Sequence, residues 1–281
     1  MLTGDFLSKN WPCSKENFED ADWVMVGLPY DGTCSYRPGT RFAPEMIRHA
    51  ALGLEDYSPY QDKDLSEVAF YDAGELDLPF GNRDKVLEMI YTATKETLDA
   101  DKKWLGIGGE HLVTLPALEA YSKKYKELYV IHFDANTDLR EEYLGEKLSH
   151  ATVMRRISEI ISPERLMQIG IRSGTREEFQ WMKKHNTLIN DRSQIPEIIQ
   201  RLAGKNVFIS IDLDVLDPGI FSGTGTPEPG GMSFNELISW VVAFSGLNIV
   251  GADVVELAPN YDTSGVSTVT AAKVIRELLL L

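Results

Sequence analysis

Six short apolar runs, separated by helix-like segments, constrain this chain more than any other feature. They are WVMVGLP (23–29), WLGIGG (104–109), LYVIHFD (128–134), LMQIGIR (166–172), VFISIDLD (207–214) and IVGADVVEL (249–257). Runs this short and this continuously apolar fit strands buried on both faces, as in a parallel sheet. Between them, KVLEMIYTATKETLDA (85–100) and FNELISWVVAFSG (234–246) carry apolar residues at three-to-four spacing, and TVTAAKVIRELLLL (268–281) predicts a closing helix. Strands alternating with helices imply βαβ units and a mainly parallel α/β sheet covered on both faces. No repeat, low-complexity tract or linker interrupts the 281 residues, so one domain over 1–281 is expected.

In such a sheet, chemistry gathers just beyond the carboxyl ends of the strands. WLGIGG runs into Glu110 and His111, and LYVIHF into Asp134, Asn136 and Asp138. VFISI runs into Asp212 and Asp214, and VGADVV ends at Glu256. Acids are depleted in strands, so their presence at three exits, with a histidine at a fourth, calls for a reason. Asp212 and Asp214 are two apart, on one side of an extended chain, where paired carboxylates repel unless a cation or proton intervenes. A metal site explains acids embedded in FISIDLDVL better than a solvated turn does.

Bland readings account for other features. Asp134, Asn136 and Asp138 begin like an EF-hand loop, but the required Gly and Glu are replaced by Leu139 and Gly145. LGIGGEH lacks the last glycine of a dinucleotide turn, so its glycines are expected to turn the backbone and deliver His111 to the sheet edge. His132, inside its run, is expected to be a satisfied core histidine beside the metal ligands. His49 and His185 read as surface residues, and His150 alone would signify nothing. The loop SGTGTPEPGG (222–231) could line the mouth of a site or be a long surface turn.

A net charge of −15 argues against nucleic-acid binding. No apolar stretch approaches the roughly 18 residues that cross a membrane. Two cysteines, Cys13 and Cys34, make no disulfide framework, and MLTGDFLSKN (1–10) lacks a signal-peptide layout, so a cytoplasmic location is expected.

Taken together, GGEH (108–111), HFDANTD (132–138), SHATVMRR (149–156), SIDLDVLDP (210–218), GTGTPEPGG (223–231) and DVVELAP (253–259) resemble the ureohydrolase family of arginases, agmatinases and guanidinobutyrases. The blocks fall in the family's order and spacing, and SYRPGTRFAPEMIR (35–48) resembles its N-terminal segment. The resemblance implies a three-layer α/β/α sandwich and two Mn²⁺ ions per chain. It places one ion on His111, Asp134, Asp138 and Asp212, and the other on Asp134, Asp212, Asp214 and residue 136. A water activated between them would attack the carbon of a small cationic guanidine. Glu256 would orient that guanidinium, His150 would shuttle the proton to the leaving amine, and urea would be released. A homotrimer or hexamer is also implied.

Family members normally carry histidine at position 136, and this chain has Asn136. An amide oxygen is a weaker donor than imidazole, so the site with Asn136 and Asp214 is expected to hold its metal less firmly. The acids at 141, 142 and 146 in LREEYLGEKLSH would suit a substrate ending in an ammonium, favouring agmatine. Two readings compete with an agmatinase. One is a degenerate member that binds a guanidine or polyamine without turnover, the other a related hydrolase with another substrate.

Overall fold

A parallel sheet requires each strand to be followed by a return crossing, and the segments between the apolar runs supply one. The computed structural model of the protein describes residues 10–189 and 191–281; all of 1–10 except Asn10 lies outside the described residues. The strands are β1 (Trp23–Gly27), β2 (Tyr57–Ser58), β3 (Lys63–Asp64), β4 (Phe70–Glu75), β5 (Lys103–Ile107), β6 (Leu128–Phe133), β7 (Leu166–Ile169), β8 (Leu188–Ile189), β9 (Asn206–Asp212) and β10 (Asn248–Val255). Eight form one sheet in the order β4-β1-β5-β10-β9-β6-β7-β8, every pair parallel, while β2 and β3 form a separate antiparallel pair. The six predicted runs are β1, β5, β6, β7, β9 and β10. The sequence reading missed the two edges, β4 and β8. In β4, FYDAGE alternates burial and exposure, and β8 has only two residues, so neither offers a continuous apolar run.

Among the described residues, eight α-helices cover the sheet: α1 (Ala43–Ala51), α2 (Arg83–Asp99), α3 (Thr114–Lys124), α4 (Val153–Ile161), α5 (Arg176–His185), α6 (Ile195–Leu202), α7 (Phe234–Ala243) and α8 (Val266–Leu279). Side chains along a strand point alternately to its two faces. Ile131 and Phe133 of β6, with Val207, Ile209 and Ile211 of β9, pack into a cluster with α1, α6, α7 and α8. Leu128 and Val130 of β6, with Phe208 of β9, enter the cluster built on α2, α3, α4 and α5. The result is the expected three-layer α/β/α sandwich.

The central strand β10 contains an irregularity between Ile249 and Gly251 that lets it follow its neighbours. Tyr121 of α3 fills the gap: its buried hydroxyl accepts from Trp104 N–H at 3.1 Å and donates to the Val250 carbonyl at 2.8 Å. A Cβ on residue 251 would lie 2.1 Å from that hydroxyl, so only glycine allows the approach. Tyr121→Phe would leave a buried N–H and a buried C=O without this partner. It is expected to lower stability by about 1–3 kcal/mol in urea unfolding, with little change in the slope of the transition.

Candidate metal and active site

Strand order places the exits of β5, β10, β9 and β6 side by side at the middle of the sheet. These are the four exits that carry the candidate residues. After β5 the chain turns through Gly108 and Gly109, both at positive φ; a Cβ on residue 109 would strike the Leu28 carbonyl at 2.3 Å. The turn delivers His111 into the sheet edge, fully buried. Asp138 (φ 52°) and Glu256 (φ 65°) also adopt left-handed backbone, a local cost of about 1–3 kcal/mol each that aims their side chains.

The His111 ring is the centre of the arrangement. Its Nε2 lies 3.0 Å from Ser210 Oγ, which donates onward to Asp253 Oδ1 at 2.6 Å. Because the serine proton goes to the carboxylate, Nε2 must be a donor, and in the neutral ring Nδ1 presents a lone pair. That atom is buried without a hydrogen-bond partner. Facing it are Asp134 Oδ2 at 3.2 Å, Asp138 Oδ2 at 3.1 Å and Asp212 Oδ2 at 3.4 Å. A lone pair ringed by three carboxylate oxygens repels them unless a cation stands between. The donor set of one imidazole nitrogen and carboxylate oxygens fits a hard divalent metal. Ligand atoms of Asp134, Asp212 and Asp214 form a second group within 4.8 Å of one another.

The carboxylates are held by the backbone. Asp134 Oδ1 accepts from Asn136 N at 2.5 Å, Asp212 Oδ1 from Asp214 N at 2.9 Å, and Asp214 Oδ1 from Ala135 N at 3.0 Å. Burial, then repulsion from Asp214 and Asp134, raises the Asp212 carboxyl well above its ordinary value. Burial and Asp134 raise those of Asp138 and Asp214. Burial, followed by Glu110, raises that of Glu256. His132 hydrogen-bonds Asp134 Oδ2 through Nε2 at 2.8 Å and has the Gln168 amide nitrogen 3.2 Å from Nδ1. Burial and the neighbouring His111 push it down to about 3. It is the satisfied core histidine expected, orienting a ligand through its proton.

Asn136 lies beside Asp214, its amide donating to Oδ2 at 2.8 Å. Thr226 donates to the same oxygen at 3.1 Å. Thr226 belongs to the loop 222–231, which therefore lines the site and is not a plain surface turn. Arg172 ties that loop to the β9 exit by donating to the carbonyls of Asp214 and Glu228, both at 2.7 Å.

A cleft of about 220 Å³ opens over this cluster, with Asp138, Asp212, Asn136, His150 and Glu256 in its lining. The structure thus brings all eight predicted residues together. Burial holds His150 below its ordinary pKa. Glu256 Oε1 accepts from His111 N at 2.7 Å. The acids at 141, 142 and 146 do not behave as expected: all are exposed and none lines the cleft. Glu141 pairs with Arg155 and Arg156, and Glu146 with Arg83, because these arginines compete for them at the surface.

A further acid in the cleft lining is Glu178 of α5, only 6% exposed, which the sequence reading missed. Its Oε2 accepts from Thr175 N at 2.6 Å, a helix-capping bond that leaves Oε1 free of that role. The signal was REE just beyond the apolar run LMQIGIR, a fifth strand exit followed by chemistry-bearing residues.

Fold and site together define an α/β/α protein with a buried His/Asp cluster, able to hold metal, at its strand exits. Residues 21–281 match the model of the Arginase family, and the chain belongs to that family. It is 48% identical to an agmatinase of Bacillus cereus, over 95% of this chain and 94% of that protein. It is 46% identical to an agmatinase of Bacillus subtilis, over 98% and 97%. Among solved structures, the agmatine ureohydrolase of Thermoplasma volcanium superposes with a TM-score of 0.87 at 30% identity, covering 98% of this chain and 94% of that one.

Carboxyls raised in the fold contribute stability at low pH that is lost as pH rises through their raised values. A bound divalent cation offsets that loss where the carboxylates are ionised. The gain in Tm on adding Mn²⁺ to chelator-treated protein should therefore be larger near about pH 8 than near about pH 5. A gain that shrinks as pH rises would contradict the assignment.

Proposed function

We propose that residues 1–281 form one ureohydrolase domain that hydrolyses agmatine to putrescine and urea. The observation that carries this reading is the cleft's pair of buried acids, Glu256, which accepts from His111 N, and Glu178 on α5. Agmatine is cationic at both ends, and each end would meet a carboxylate. The curated relatives named agmatinase support the same substrate.

Two Mn²⁺ ions fit the donor set, one on His111, Asp134, Asp138 and Asp212, the other on Asp134, Asp212, Asp214 and Asn136. When bound, such ions supply Lewis acidity and activate water. Glu256 would hold the guanidinium by charge-assisted hydrogen bonds and fix its carbon over the cluster. His150 Nε2 lies 3.3 Å from Ser35 Oγ, both in the cleft lining, where the imidazole would carry a proton to the departing amine nitrogen. Glu178 would take the terminal ammonium. The unpaired Cys13 and Cys34 fit a reducing cytoplasm, and a homotrimer or hexamer is carried by the family resemblance alone.

Urea release is expected with agmatine in preference to arginine and 4-guanidinobutyrate, whose carboxylates would meet Glu178. Glu178→Gln, which keeps the helix-capping oxygen, should raise KM for agmatine about tenfold while kcat changes little. Equal KM values for the two proteins would remove Glu178 from substrate binding.

Asn136 donates to Asp214 where the family's histidine would offer a ring nitrogen to metal, so the second ion should be the weaker bound. Metal analysis after dialysis is expected to find fewer than two Mn²⁺ per chain, and Asn136→His should raise retention about 10- to 100-fold in affinity. Two ions firmly held by the unaltered protein would count against this.

A further inference from the structure

The proton carrier His150 lies on no strand, and its ring is set by a contact from a distant loop. Thr33, in the loop after β1, is bound twice by the buried Glu110: its N–H donates to Oε2 at 2.8 Å and its hydroxyl to Oε1 at 2.6 Å. The same hydroxyl oxygen accepts from His150 N at 3.1 Å and lies 3.4 Å from His150 Nδ1. A threonine hydroxyl has one proton, and here the carboxylate takes it. Towards the imidazole Thr33 can only accept, so Nδ1 carries the ring proton. The free lone pair is then on Nε2, beside Ser35 Oγ in the cleft lining.

We propose that Thr33, with its hydroxyl oriented by Glu110, is a positioning residue that fixes the tautomer and direction of His150 and so sets where the transferred proton is carried. This rests on the reading of His150 given above. Without a fixed acceptor at Nδ1, the ring could turn or exchange tautomers, and Nε2 would no longer present the lone pair that takes up the proton before passing it to the departing amine. Glu110 is one residue before His111, so a single turn serves both the metal cluster and the proton path.

Thr33→Val keeps the size of the side chain and the backbone bond to Glu110 while removing the hydroxyl. Its kcat for agmatine should fall about tenfold or more, with KM nearly unchanged, and Thr33→Ser should restore most of the loss. Mn²⁺ content per chain should equal that of the unaltered protein. In a His150→Asn background, Thr33→Val should cost no further turnover, because its effect on proton transfer runs through the imidazole, while the bond from His150 N to the Thr33 hydroxyl is lost in either background. The proposal is overturned by a kcat within about twofold of the unaltered protein, by the same loss recurring in the His150→Asn background, or by loss of metal. Unchanged turnover in His150→Asn alone would instead remove the role of His150, a failure distinguishable from that of Thr33.

Discussion

One buried lone pair organises this molecule's functional end. His111 Nδ1 faces three carboxylate oxygens within 3.4 Å, sealed from solvent and without a hydrogen-bond donor of its own. Burying like charges this close is among the costliest things a fold can do unless a cation is part of it. The strained backbone at Asp138 and Glu256, the glycine turn before His111 and the amide donors of Ala135, Asn136 and Asp214 all aim or hold groups of this cluster.

The sheet makes that concentration possible. Strand order β5-β10-β9-β6 puts four exits next to one another although their residues lie up to 145 positions apart in sequence. Alternating side chains of each strand feed two apolar clusters, so the strands are rigid and their ends are fixed points. The Tyr121 hydroxyl in the β10 irregularity belongs to the same support, since β10 leads directly into Glu256. Loops then complete the site over a rigid base: 222–231 brings Thr226 to Asp214, and the loop after β1 brings Thr33 to His150.

The division of acids in the cleft gives the site its chemical direction. Asp134, Asp138 and Asp212 face His111, Asp214 groups with Asp134 and Asp212, and Glu256 and Glu178 join Asp138 and Asp212 in the cleft lining. Acids with arginine neighbours, such as Glu141 and Glu146, are neutralised at the surface and take no part. Asn136 lies where these groups meet, donating to Asp214 with its amide. It leaves the count of negative charges unchanged and alters only the strength of a donor.

The sequence by itself determined the parallel α/β architecture, because doubly buried strands need continuous apolar runs and their crossings need amphipathic helices. It also marked candidate metal ligands, since acids are depleted in strands and their presence at such strand ends calls for a reason. His111, the four aspartates and Glu256 were legible at strand exits in that way, whereas the roles of His150 and of position 136 came only from the resemblance to the family. The edge strands β4 and β8 were not, because half-exposed or two-residue strands leave no periodic signal. Only the tertiary structure decided which acids face the cleft. Glu141 and Glu178 are equally plausible in sequence, yet one meets arginines across a loop and the other is turned inward by a helix cap. The link from Glu110 through Thr33 to His150 likewise spans 117 residues and exists only where the folded loops meet. Composition and periodicity are local properties, whereas the environment that sets a side chain's role is made by distant neighbours.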